Sequence, residues 1–269
     1  MAVPGSENAF SRGALVIALA TFFYVYLIFP SLIIVPISFG NRVELVFPPK
    51  NYSLDLYRDF FGSPDWLTVT YRSGRNALLS ACLALLAGVP GAYALARVSF
   101  PGKQLLVTLI LSPILVPIVV ISLGLYLYYL EISLAGTVAG LVLAHAMYVT
   151  PFVVITMAAG ISQLDERLET AATIMGASRS RVFWDVVLPQ LTPSLISASL
   201  FAFLMSFDEV VIAWFITGPG TVTLPVKMYS SIKWESSPVL AAVATILIVV
   251  SMVVCLAAVT LTRGRTVPK

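Results

Sequence analysis

The sequence is poor in charge. Of its 269 residues only 11% are Asp, Glu, Lys or Arg, where a soluble globular domain carries about 25%. Such a chain cannot clothe a water-soluble fold. Its formal net charge of +3 supplies no basic stripe, so nucleic acid is not expected as a partner. There is one histidine, His145, and there are two cysteines, Cys82 and Cys255. Both cysteines lie inside apolar runs, where a thiol behaves as a small apolar residue, and neither a disulfide framework nor a metal-ligand spacing exists. A G-x4-G-K-[ST] phosphate loop is also missing, because Gly102-Lys103 is followed by Gln104. That absence excludes nucleotide binding through this motif, and no cofactor is expected in the chain. Internal repeats and low-complexity segments are absent too.

What the chain has is apolar sequence: 59% hydrophobic residues and a mean hydropathy of +0.95. Uncharged runs extend over Gly13 to Asn41, Asn76 to Ala96, Gln104 to Leu130, Ile132 to Leu164 and Ser236 to Thr262. Each reaches the roughly 20 residues that carry a helix across about 30 Å of hydrocarbon. A sixth run, Thr192 to Phe215, contains the acids Asp208 and Glu209. Backbone polar groups in lipid must be satisfied within the segment, so runs this apolar predict helices. The fold class is therefore all-α: a polytopic membrane protein with six transmembrane helices. The first run is too long for a signal-peptide core, and Ser38-Phe39-Gly40-Asn41 makes a poor cleavage site, so it reads as an uncleaved first crossing.

With the N-terminus inside, nine basic residues fall on the cytoplasmic side and seven on the other. This positive-inside bias favours cytoplasmic N- and C-termini. The loops then sort themselves. Residues 40–75 form an external loop, in which Ser53 caps a short amphipathic helix, Leu54 to Phe61, that either lies at the membrane interface or binds a partner. Arg97 to Lys103 is a cytoplasmic turn containing Pro101-Gly102. Residues 161–189 form a large cytoplasmic loop, and 218–238 a second external loop. Tyr126, Tyr128 and Tyr129 end the third run and suit an interfacial aromatic belt.

The segment Leu168 to Pro189 stands out. It lies between two crossings and is helix-forming, with Asp165, Glu166 and Arg167 just before it and Glu169 and Arg179 within it ahead of Arg181. A polar helical loop at a membrane face reads as a docking surface for something in water. Ala171 and Ala172 remove bulk from a helix face. Gly176 breaks the helix, because glycine costs about 1 kcal/mol in a helix interior and suits a bend. A second piece, Arg179 to Leu188, follows, and Pro189 is expected to end it.

This spacing, AA-x3-G-x11-LP, resembles the EAA loop of permease subunits of ATP-binding-cassette importers, whose pattern is roughly EAA-x3-G-x9-I-x-L-P. Ala171, Ala172, Gly176, Leu188 and Pro189 match, and Val186 stands for the isoleucine. Thr170 occupies the position of the motif's glutamate, with Glu169 one residue earlier, about 100° away around a helix. The resemblance implies the type I importer (MetI-like) permease fold, as a single permease domain over 1–269 with its core at about 72–263. It also implies a coupling loop that docks on a separate ATPase, with Glu169, Thr170, Ala171, Ala172, Gly176, Arg179, Arg181, Leu188 and Pro189 as its residues and Asp185 a further surface contact. Two ATP-binding subunits, which would hold ATP and Mg, a second and homologous permease chain, and an extracytoplasmic binding protein are the implied partners. The implied location is the bacterial cytoplasmic (inner) membrane.

A second site is Ser206-Phe207-Asp208-Glu209. Two acids at membrane depth are costly and face a cavity or a partner. Being adjacent, they cannot share one helix face, so one is expected on the pathway and the other against a cation such as Lys227 or near the outer surface. The stretch from Ser206 to Tyr229 resembles permeases for polyamines, through Phe215, Thr217, Gly218, Pro219, Leu224, Pro225 and Lys227 besides the two acids. The same group includes permeases for opines and aminoalkylphosphonates. Ser112-Pro113 is followed by Ile114 where polyamine permeases often carry an acid. Ser206, Asp208 and Glu209 are thus the expected substrate-pathway residues for a small cationic nitrogenous solute. His145 is read as a neutral residue bonded between helices, with a proton relay as the alternative. A stand-alone proton-coupled transporter would need ionisable groups on several spans and leaves the 168–189 loop without a purpose. No catalytic residue, and hence no enzyme, is expected.

Overall fold

The structure, a computed structural model, describes residues 6–42, 45–235 and 237–263. In chain order the α-helices are α1 (Ser6–Ile37), α2 (Asp55–Gly62), α3 (Pro64–Arg97), α4 (Lys103–Leu115), α5 (Ile118–Glu131), α6 (Val138–Ile161), α7 (Glu166–Ile174), α8 (Arg179–Val182), α9 (Leu188–Gln190), α10 (Thr192–Asp208), α11 (Val211–Ile216), α12 (Leu224–Ser230) and α13 (Val239–Arg263). Among the described residues there is no strand. Among the described residues four helices are long and apolar enough to cross a membrane: Leu15–Ile37 of α1, α3, α6, and Val239–Ala257 of α13. Two bent pairs, α4 with α5 at 105° and Arg179–Gln190 with α10 at 77°, raise the number to as many as six if each pair is one span.

Two crossings expected as straight helices are broken. The third run bends at Val116-Pro117. Val116 is extended (ψ 133°), as a residue before proline prefers, and Pro117 has no N–H to continue the ladder. Pro113 likewise leaves the Leu109 carbonyl without its helical donor, and the Ser112 hydroxyl donates to that oxygen at 2.8 Å. The run Thr192 to Phe215 also breaks, between Asp208 and Val211.

Contacts sort the chain into two compact units, Met1–Ser63 with Glu235–Val253 and Pro64–Trp234 with Val254–Lys269. In the first, α1 is exposed over Leu15–Pro30, an all-round apolar helix of the kind that lives in lipid or against another chain. The loop after α1 is tied by a 2.7 Å hydrogen bond between Ser38 and Tyr57 and by the Ser53 N–H donating to the Phe39 carbonyl at 2.6 Å. Helix α2 starts one residue later than expected, with the Asp55 N–H on Ser53 Oγ at 3.3 Å. Its buried side chains are Leu56 and Phe60, while Leu54 and Phe61 stay exposed. Arg42 grips Asp59 through two 2.7 Å bonds, and that carboxylate raises the pKa of the guanidinium.

The second unit is organised by small residues. Ser73, Ala77, Ser80, Ala81, Ala84, Gly88 and Ala92 recur along α3 at three- and four-residue steps and are all buried. They let α6 approach closely, as small residues do between membrane helices. A Cβ on Gly88 would stand 2.7 Å from Val153 Cγ1, and Ser80 Oγ donates to the Val142 carbonyl at 3.1 Å. Helix α10 completes this core with Ala198, Ala202 and Ser206. A second cluster joins Tyr129, Leu141, Ala144, Ile212, Ala213, Ile216 and Val226. Tyr129 is thus core rather than belt, because it ends α5 facing α11, whereas Tyr128 is exposed. Near the start of α3, Ser73 Oγ accepts the Leu224 N–H at 2.7 Å, and the Gly136 N–H donates to the Ile216 carbonyl at 2.8 Å.

Candidate functional site

The loop between α6 and α10 is two helical pieces set around a glycine. Asp165 opens α7 by accepting the Arg167 N–H at 2.9 Å, and Glu166 and Glu169 occupy its first turn, where the helix dipole favours carboxylates. The helix ends in a Schellman motif: the Ala177 N–H bonds to the Ala172 carbonyl and the Gly176 N–H to the Thr173 carbonyl, at 3.1 and 3.0 Å. Gly176 has φ +88°, a left-handed conformation that glycine adopts without strain. The turn leaves Ile174 and Met175 at the tip, more than 80% exposed. Ser178 then caps α8, accepting the Arg181 N–H at 3.4 Å.

Beyond α8 the chain does not stop at Pro189. It passes through a wider π-helical stretch, Phe183–Val187, and continues helically as α9 to Gln190. The wide turns suit a segment that must accommodate a proline, and the Gln190 side chain donates to the Val186 carbonyl at 2.6 Å. The bend falls at Leu191 instead. Arg179, Arg181, Asp185 and Pro189 are exposed, and Leu188 is half-buried; Arg181 and Asp185 form a loose surface pair at 3.7 Å. Trp184 is exposed on the same segment.

The two alanines divide. Ala172 is buried in the core cluster, while Ala171 is exposed. Thr170, at the motif's glutamate position, is exposed with its hydroxyl on the Glu166 carbonyl at 3.1 Å. Glu169 points the other way. Its Oε1 meets Arg97 Nη2 at 2.8 Å and accepts from Arg97 Nε at 3.0 Å, and its Oε2 accepts the Tyr93 hydroxyl at 2.7 Å. The carboxylate expected on an ATPase-facing surface is spent on the end of α3.

The second site forms where α10 breaks. Glu209 is buried, and its two oxygens accept the N–H groups of Val211 and Ala213, at 2.8 and 3.0 Å. Those are first-turn donors that α11 cannot satisfy internally. Glu209 Oε2 lies 3.5 Å from His145 Nε2, and His145 Nδ1 shares a 2.9 Å bond with Ser206 Oγ. The partner of the buried acid is therefore His145 with backbone amides, in place of Lys227, whose Nζ stands 5.7 Å over the Trp66 ring. Ser206, expected on the pathway, is buried in this bridge. Asp208 is exposed. Directly after it, Val210, Val211, Trp214 and Tyr229 line a cavity of about 180 Å³, with the two rings edge to face at 5.1 Å.

The structure brings together residues that sequence reasoning left apart or unremarked. Arg97 had counted only as a positive charge at a span end, and Tyr93 not at all. The one signal for Arg97 was its position as the single charge closing a long uncharged run. Ile174, Met175 and Trp184, apolar side chains in a polar loop, were a visible but unused sign of a contact surface.

Residues 82–264 match the family described as binding-protein-dependent transport system inner membrane component. The spermidine/putrescine transport system permease protein PotC of Escherichia coli (strain K12) is 31% identical over 250 residues, 91% of this chain and 93% of PotC. The putrescine transport system permease protein PotI of the same organism is 32% identical over 241 residues, 87% of this chain and 85% of PotI. A solved structure of a bacterial alginate ABC transporter in complex with a periplasmic protein has the same fold, with a TM-score of 0.74 at 16% identity, covering 97% of this chain and 96% of that one. The chain belongs to the inner-membrane components of binding-protein-dependent transport systems: it is a multi-pass, all-α permease subunit of an ABC importer, a transporter component rather than an enzyme, of the kind that works with a binding protein and an ATPase.

Proposed function

We propose that this permease passes a small cationic amine, with spermidine and putrescine as the lead substrates, and that Asp208 is the carboxylate the cation meets. The observation that carries this is the exposed Asp208 at a helix break inside a membrane run, two residues before Val210 of the cavity walled by Trp214 and Tyr229. A carboxylate at that depth attracts an ammonium group, and aromatic faces add cation–π attraction. Glu209 contributes by holding the break, and Ser206 by bridging to His145. The naming of PotC and PotI for polyamines supports the substrate class.

In this reading the whole chain acts as one permease domain, with its termini cytoplasmic. It pairs with a second permease chain, and two ATPase subunits bind ATP and Mg. The ATPase docks on the tip formed by Ile174, Met175 and Trp184 with Ala171, Thr170, Arg179 and Arg181 around it. Gly176 sets the angle of that tip, and Leu188-Pro189 lead its movement into α10.

The test is uptake by the complete importer with its binding protein in proteoliposomes, using labelled spermidine and putrescine. Hydrogen bonds to charged groups are worth about 1.5–3 kcal/mol, so Asp208→Asn is expected to cut uptake tenfold to a hundredfold with the complex intact. Normal uptake by Asp208→Asn, or uptake by the wild type of an opine or aminoalkylphosphonate alone, overturns this reading.

A further inference from the structure

We infer that Arg97 and Tyr93 of α3, clamped to Glu169 and Glu166 of α7, form the joint through which movement of the docking helix is passed to a membrane-crossing helix. This rests on the reading that α7 docks an ATPase, and it gives Glu169 a different task from docking.

The geometry is that of a two-sided clamp. Tyr93 and Arg97 are four residues apart at the end of α3, and Glu166 and Glu169 three apart at the start of α7, so each pair lies on one helix face. Arg97 Nη2 and Nε both reach Glu169 Oε1, Arg97 Nη1 bonds to Glu166, and Tyr93 donates to Glu169 Oε2. Guanidinium-to-carboxylate bonds in a fixed fork hold orientation as well as distance. The central pair is shielded, with side chains 16% and 15% exposed, so solvent and salt loosen it less than a surface pair.

Apolar packing backs the clamp. Ala172 of α7 is buried in the same cluster as Ala92 and Val89 of α3. The Tyr93 ring stands edge-on to Phe183 at 5.1 Å, which ties the segment after α8 into the same joint. A helix so gripped at two successive turns cannot slide or rotate against α3 without breaking several charge-assisted bonds together. The clamp residues Glu166 and Glu169 stand in the first turn of the nine-residue α7, and the exposed Ile174-Met175 tip lies at its other end. One end is free to receive a push and the other is fastened to a span.

The experiment uses the complete importer in proteoliposomes and measures three things: ATPase co-purification, ATP hydrolysed, and substrate moved per ATP. Glu169→Gln and Arg97→Lys are expected to keep the ATPase bound and hydrolysing. Substrate moved per ATP should fall between about twofold and thirtyfold, the range for residues along a coupling element. Where Glu169→Gln lowers the yield of the folded permease itself, Tyr93→Phe, which removes one hydroxyl and keeps the ring on Phe183, is expected to give the mildest loss of the same kind. If Glu169→Gln sheds the ATPase, Glu169 is a docking residue and the inference is overturned. Wild-type transport per ATP in all three variants overturns it as well, while docking stands. If Ile174→Asp, which charges only the exposed tip, retains the ATPase and full transport, the docking reading itself falls and takes this joint with it.

Discussion

Gly176 offers the sharpest test of how the exposed tip at Ile174-Met175 is built. Its φ of +88° places it in the left-handed region, and a Cβ there would meet nothing within 4 Å. Any penalty for a side chain therefore comes from the backbone and not from crowding within the chain. For L-residues that conformation costs roughly 1–2 kcal/mol, which changes the ratio of native to distorted tip by about 5–30-fold. Asparagine tolerates this region better than alanine, and a β-branched residue worst. The expected order of ATPase retention on affinity purification, and of substrate-stimulated ATP hydrolysis, is Gly, then Asn, then Ala, then Val. The order separates two causes. If side-chain volume at the ATPase contact were the determinant, alanine would outperform the bulkier asparagine. Alanine above asparagine, or valine equal to wild type, refutes the argument from backbone conformation.

Two further outcomes follow from the packing. Gly88→Leu forces a Cβ to within 2.7 Å of Val153 Cγ1 and 3.1 Å of Val153 Cβ. Overpacking of this kind costs about 1–3 kcal/mol, so the melting temperature in detergent should drop and partly recover with Val153→Ala; an unchanged melting temperature means the α3–α6 contact is looser than described. His145→Ala and Ser206→Ala each break the bridge between α6 and α10. Because the residues share one hydrogen bond, the pair should show a coupling energy of about 0.5–3 kcal/mol in a double-mutant cycle of denaturation, and strict additivity would show that the bridge holds nothing.

Much of the architecture was legible in the sequence because it depends on local sums. Hydropathy over about 20 consecutive residues is enough to place a candidate crossing, and the four long apolar helices, the α4–α5 pair and α10 fall on the runs read that way. The 168–189 loop was equally legible: Ala171, Ala172 and Gly176 sit at fixed short spacings, and a Schellman ending needs only its own turn. The breaks were harder. Pro117 was visible, yet prolines are tolerated in membrane helices when neighbours satisfy the freed groups, so its effect depends on packing against α6 and α11. The break at Glu209 carries no proline. It exists because a buried carboxylate can hold the N–H groups of Val211 and Ala213 once His145 stands beside it.

By itself the sequence determined that this protein is an all-α chain built to span a membrane, and where its apolar runs and the polar 168–189 segment lie. Only the tertiary structure decided the partners of the scarce charged groups: Glu169 with Arg97 across 72 positions, Ser206 with His145 across 61, and Glu209 on His145 and the amides of α11. The reason is physical. A charge in an apolar chain must find an opposite charge or a set of donors, and periodicity records that need without recording which distant residue meets it.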